Sequence, residues 1–156
     1  MSRSCKQFIW ATIIVLAGAA VVTLCRAQGG GAPPPTLLPD LQVYSISAPS
    51  TAQRGATISV SDTTTNTGTA NAVQSISGIY ICTSLSSVSS SCWVTNHNTA
   101  GVKINGSTTW GPIPVTVPTT TALGTNYYIV VANSNRQVGE SNYFNNTNYV
   151  MIVITP

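Results

Sequence analysis

Thr57-Ile58-Ser59-Val60-Ser61 is the stretch on which the fold turns. Apolar and hydroxyl side chains alternate there with a period of two. An extended strand therefore keeps Ile58 and Val60 dry on one face and leaves Thr57, Ser59 and Ser61 wet on the other. Upstream, Leu41, Val43 and Tyr44 to Ile46 open a series of short apolar runs punctuated by Gly, Pro and Asn. Downstream the series continues with Ile76 to Cys82, a weaker pair at Trp93 to Val94 and Val102 to Ile104, then Ile113 to Val117, Tyr127 to Ala132 and Tyr149 to Ile154. The last two runs are almost wholly apolar, as in strands covered on both faces or lying centrally in a sheet. No stretch beyond Asp40 carries a helical stripe.

About seven short antiparallel strands at this spacing predict an all-β protein, an immunoglobulin-like or fibronectin III-like β-sandwich. Two stacked sheets would bury Ile58, Val60, Ile79, Ile81, Val115, Val117, Ile129, Val131, Ile152 and Ile154, or their neighbours of opposite parity, against each other. Tyr127 or Tyr128, after the turn Gly124-Thr125-Asn126, is a candidate for a hydroxyl that locks that turn; each reads equally as a plain core aromatic.

The chain of 156 residues is 43% hydrophobic and only 6% charged, against about 25% charged residues in an ordinary globular protein. With Arg3, Lys6 and Arg26 set aside, Arg54, Lys103 and Arg136 balance Asp40, Asp62 and Glu140. Nucleic acid is excluded as a partner by the lack of clustered cations. Disorder is excluded by the high hydrophobicity and low charge.

Residues 1–27 have the layout of a secretory signal peptide, an N-terminal signal helix. Met1 to Phe8 is short and basic, Ile9 to Leu24 is uncharged and apolar, and Cys25-Arg26-Ala27 puts small side chains at a cleavage site. The apolar core falls short of the roughly 20 residues that span a bilayer. Contact with the membrane is thus expected only through this segment, if it stays uncleaved. Lipidation at Cys25 is an alternative, disfavoured by the bulky Leu24 before it. Residues 28–39, QGGGAPPPTLLP, form a Gly/Pro-rich linker, and residues 40–156 form the folded domain. The expected location is secreted or at the cell surface, with the periplasm open.

After cleavage two cysteines remain, Cys82 and Cys92, and in an oxidising compartment such a pair reads as a disulfide closing a Ser-rich loop. Two buried thiols are the alternative; zinc would need four ligands, and His97 is the only imidazole. That histidine, in the polar stretch Asn96-His97-Asn98, is expected on the surface. With three acids in all and no Gly-x-Ser-x-Gly turn, neither an enzyme nor a cofactor is expected.

Pro39-Asp40-Leu41, Pro49-Ser50-Thr51-Ala52 with Gly55, Asn66-Thr67-Gly68-Thr69-Ala70, Ile79-Tyr80-Ile81 and Gly124-Thr125-Asn126-Tyr127-Tyr128 stand in the order found in the cell-adhesion-related domain of bacteria, CARDB. The ending, Val138-Gly139-Glu140-Ser141-Asn142-Tyr143-Phe144-Asn145-Asn146, resembles that family's acidic, Asn-rich turn before the last strand. The resemblance covers about residues 40 to 156. It implies an immunoglobulin-like sandwich on an exported bacterial protein, with a role in adhesion or binding. Two departures stand out: Asn133 replaces an Asp common in similar domains, and Tyr143 replaces a repeated acid. Glu140 surrounded by neutral amides is a poor calcium ligand set. Glu140, Ser141, Asn142, Asn145 and Asn146 are therefore expected to shape the turn, not to hold a metal.

The expected function is a non-enzymatic module for adhesion at the cell surface, with a protein or a polysaccharide as partner. Self-association into a filament or matrix is the alternative, since an uncharged Ser, Thr and Asn coat offers little self-repulsion. A small secreted enzyme comes last. Trp93 and Trp110 are the candidate binding aromatics, with packing in the core or at its rim as the competing reading.

Overall fold

The computed structural model describes Pro35–Pro156. The expected signal segment and residues 28–34 of the linker lie outside the described residues. Eight strands follow in order: β1 (Leu41–Ser47), β2 (Thr51–Gln53), β3 (Thr57–Asn66), β4 (Ser75–Cys82), β5 (Trp93–Thr99), β6 (Ser107–Thr116), β7 (Gly124–Val131) and β8 (Thr147–Thr155). They build a sandwich of a three-stranded sheet, β1-β3-β6, and a five-stranded sheet, β2-β8-β7-β4-β5.

The sandwich matches the expected class, with local differences. One pair is parallel: β2 runs along β8, with Ala52 opposite Ile154. The chain leaves the small sheet after Ser47, passes Pro49, which has no N–H to offer a ladder, and joins the edge of the large sheet. The segment Pro49-Ser50-Thr51-Ala52 is thus a crossing between sheets that ends in a short strand. Val102 to Ile104 is a loop, although Val102 is buried and exchanges two backbone hydrogen bonds with Ala72. Trp93 to Val94 is only the start of β5, which continues through Asn96-His97-Asn98 to Thr99 because its partner β4 extends that far. Strand β6 likewise begins at Ser107, six residues before the apolar run that announced it.

The interior is lined by Leu41 and Val43 of β1, Ile58 and Val60 of β3, Ile79 and Ile81 of β4, Val115 of β6 and Ile152 and Ile154 of β8. In β7 the inward set is Tyr128 and Val130, followed by Ala132, so the parity is opposite to the Ile129 and Val131 first named. Ile129 is nonetheless fully buried, on the outer face, between Tyr80 and Tyr149 on the neighbouring strands. The inward face of β3 does not stay apolar. After Ile58 and Val60 the alternation carries Asp62, Thr64 and Asn66 into the interior, all buried.

Candidate binding face

The Asn-rich ending connects β7 to β8, and its side chains are used up in holding the turn. Asn133 sits in left-handed backbone at φ 46°, a region asparagine tolerates better than most residues. Its amide nitrogen donates to the Val138 carbonyl at 2.7 Å and to Glu140 Oε1 at 2.6 Å. Asn146 donates to the same Oε1 at 2.7 Å, and the Leu41 N–H donates to Oε2 at 2.5 Å. Three N–H donors thus surround a carboxylate that is only 6% exposed. The Tyr143 hydroxyl donates to the Val138 carbonyl and accepts from the Glu140 N–H. Asn145 donates to Asp40 Oδ1, the Ser141 N–H donates to the Pro39 carbonyl, and Asn142 accepts from the Phe144 N–H. The network fastens the start of β1 to the β7–β8 turn. Tyr143 thus locks the β7–β8 turn; Tyr128, offered from the sequence as a lock for the turn Gly124-Thr125-Asn126 or as a plain core aromatic, is wholly buried in the core.

His97 is buried, contrary to the surface position expected for it. Its Nε2 lies 2.9 Å from Asp62 Oδ2, and its ring stacks on Trp110 with centroids 3.9 Å apart and planes 12° from parallel. The reason is topological: β5 and β6 are the facing edges of the two sheets, and their inward side chains meet across the open side. Asp62 is the register partner of Trp110 just past an irregularity at Val60/Asp62. Gly111, at φ 93°, occupies that kink, where an added Cβ would lie 2.4 Å from the Val60 carbonyl oxygen. Trp110 is therefore a half-buried closure of the sandwich, leaving Trp93 as the exposed tryptophan among the described residues.

Trp93 stands on the outer face of the five-stranded sheet. Its indole N–H donates to Asn96 Oδ1 at 3.0 Å, and the residue is 46% exposed. Cross-strand register sets it beside Tyr80 of β4, and Tyr80 opposite Ile129 of β7, itself opposite Tyr149 of β8. Tyr80 lies back over Gly78, whose missing side chain leaves room for the ring; a Cβ there would sit 2.9 Å from both Cε2 and the hydroxyl oxygen. Tyr127 meets Tyr149 edge to face at 5.6 Å, and Met151, opposite Tyr127, is 60% exposed. With strands about 4.8 Å apart, the row Trp93–Tyr80–Ile129–Tyr149 runs for about 14 Å. No outward side chain of β4, β5, β7 or β8 on this face is charged. Tyr80 and Tyr149 were not singled out from the sequence. The near-continuous runs containing them hid which parity faced out, although strands apolar on both faces are themselves the signal for such a surface. Cys82, beside Tyr127, is joined to Cys92 by a disulfide that ties β4 to the segment entering β5.

The CARDB profile matches residues 38–150. The chain belongs to the CARDB family. Solved structures agree on the fold. The CARDB domain of a Pyrococcus furiosus protein, crystallised in complex with di-metal ions, is 16% identical, with TM-score 0.54 over 76% of this chain and 90% of that one. A domain of a Methanosarcina acetivorans protein assigned to the cell surface gives TM-score 0.56 at 16% identity, over 76% and 94% of the two chains. A search of curated protein sequences finds no match. Glu140 is faced by N–H groups, which repel a cation, and among the described residues no three His, Cys, Asp or Glu side chains come together.

Proposed function

We propose that this CARDB domain is an exported, non-enzymatic adhesion module that holds a neutral partner at the cell surface, polysaccharide or protein, on the outer face of its five-stranded sheet. The observation that carries the reading is the uncharged set of outward side chains Trp93, Tyr80, Tyr149 and Met151, with Tyr127 beside them, that reaches solvent over a fully buried Ile129. Soluble domains rarely leave a contiguous apolar patch wet without a use for it. Tyrosine and tryptophan, with an apolar body and a polar tip, are the side chains most enriched at binding hot spots. Export is supported by the layout of residues 1–27 and by the Cys82–Cys92 bridge, since disulfides persist in oxidising compartments.

Co-sedimentation with insoluble neutral polysaccharides and pull-down of surface proteins test this reading. Trp93→Ala and Tyr149→Ala should each weaken retention at least tenfold, corresponding to about 1.4 kcal/mol or more. Retention should be nearly independent of salt, because no charge lies on the face. Tyr44→Ala, an exposed tyrosine of the other sheet, is the control and should bind as the parent does. Equal retention of all three variants would remove the aromatic face from the function. Concentration-dependent assembly abolished by Tyr149→Ala would move the reading to a filament subunit.

A further inference from the structure

The chain contains two Asn-x-Ser/Thr triplets, Asn105-Gly106-Ser107 and Asn145-Asn146-Thr147. With no Pro in the middle, each is the acceptor pattern for an N-linked glycan on an exported protein. The fold treats the two differently. Asn145 is part-buried, and its amide nitrogen donates to Asp40 Oδ1 at 2.9 Å, inside the network that fastens β1 to the β7–β8 turn. Its Oδ1 is buried as well, so the amide is enclosed.

Asn105 is the opposite case. The Gly106 N–H donates to the Lys103 carbonyl at 2.9 Å and closes a turn in which Asn105 takes φ 56°, left-handed backbone that Asn tolerates. The Asn105 N–H donates to the Asn66 carbonyl and the Asn66 N–H to the Gly106 carbonyl, which holds the turn against the end of β3. The backbone is thus fixed while the side chain stays exposed, its amide without a hydrogen-bond partner among the described residues. Ser107, exposed too, presents the hydroxyl of the triplet from the first position of β6. Both residues border an open groove of about 700 Å³ on the outer face of the three-stranded sheet. Tyr44, 73% exposed, and the hydroxyls of Thr63, Thr65 and Thr67 line it, and no charged side chain does.

We infer that Asn105 carries an N-linked glycan whose first sugars lie in this groove, an apolar ring face against Tyr44. The transfer is a displacement at the anomeric carbon of a lipid-phosphate-linked oligosaccharide, carried out by a membrane oligosaccharyltransferase. The bond from Asn105 Nδ2 to that carbon forms, and the carbon–oxygen bond to phosphate breaks. The lipid phosphate leaves with the electron pair, and the amide gives one proton to the enzyme. The glycan covers the small sheet and leaves the aromatic row of the large sheet open. The assignment rests on the export part of the proposed function and not on that row.

Mass spectrometry of the chain recovered from its native cells and their medium tests the inference. Trypsin cuts after Lys103 and Arg136, so the two triplets fall on separate peptides, 104–136 and 137–156. The first should carry an added sugar mass and the second should have its bare mass. Asn105→Gln and Ser107→Ala should each abolish the addition while the chain is still exported. Hydroxyl-radical labelling should oxidise Tyr44 several-fold more in Asn105→Gln than in the parent. An exported chain with a bare peptide 104–136 would overturn the glycan and leave the export reading standing; a chain confined to the cytoplasm would overturn both. Sugar on peptide 137–156 of the folded protein would overturn the distinction drawn between the two triplets. Equal labelling of Tyr44 in parent and variant would overturn the seating in the groove alone.

Discussion

Strand β3 faces two different interiors along one length. Its first half contributes Ile58 and Val60 to a core closed by Ile79, Val115 and Ile154. Its second half contributes Asp62, Thr64 and Asn66, which meet His97 and the backbone near Ala70 and Val102. Burial in the first half stabilises by removing apolar area from water, a force without direction. Burial in the second half costs free energy unless each polar atom finds a partner. Asn66 meets that requirement in full: its oxygen accepts from the Asp40 and Gly68 N–H groups, and its nitrogen donates to the Ala70 and Val102 carbonyls. Apolar packing holds one end of the sandwich; at the other, hydrogen bonds satisfy Asn66 and an ion pair joins Asp62 to His97, while Thr64 Oγ1 is buried without a hydrogen-bond partner.

The largest expected effect sharpens this contrast. Glu140→Ala strands the Leu41 N–H and the Asn133 and Asn146 amides, each lost partner costing about 1–3 kcal/mol. Unfolding in urea should show a loss of about 3–5 kcal/mol. Ile79→Ala, at the apolar end, should cost about 2–5 kcal/mol by cavity formation. A loss of less than about 1 kcal/mol for Glu140→Ala would mean that the network contributes little and that the apolar half carries the fold.

The pair Asp62–His97 breaks the comparison in the other direction. Removing one member leaves a buried polar group alone beside Trp110, so Asp62→Ala or His97→Ala should each cost a few kcal/mol. Replacing both with apolar side chains, Asp62→Leu with His97→Phe, should destabilise less than either single change, because such exchanges are often neutral or better. Thermal unfolding of the three variants decides it. A double variant weaker than both singles would show that the polar half depends on this pair.

The smallest effect lies where the two halves touch. Burial, with Asp62 nearby, raises the Tyr128 hydroxyl well above its ordinary value, which is near 10. The fold therefore favours the neutral phenol, and the unfolded chain gives up its proton first. The associated stability is complete below about pH 10 and falls as the pH climbs beyond it. Tyr128→Phe should lessen that alkaline loss, leaving stability near neutral pH within about 1 kcal/mol of the parent. Identical alkaline profiles for parent and variant would assign the loss to other groups.

Much of this was open to reading along the chain, for identifiable reasons. Ile58 and Val60 announced a strand because period two is a local property. Cys82 and Cys92 announced a bridge because they are the only pair beyond residue 27. The buried destination of His97 was not open to reading, since Asn96-His97-Asn98 is polar on every side and β5 owes its length to its partner β4. Nor was the outer aromatic row: of the two candidate tryptophans, Trp93 and Trp110, only Trp93 belongs to it, and Tyr80 joins it because Gly78 leaves room for its ring.

The sequence alone determined that the domain is all-β, because period-two patterning depends on neighbours within a few residues, and its resemblance to CARDB pointed to the Asn-rich turn of its ending. Only tertiary structure decided which parity of β7 faces the core, that Asp62 and His97 meet 35 positions apart in the chain, and that four strands line up an uncharged aromatic row. Those outcomes depend on register between distant strands, and register is set by the packing of all of them together.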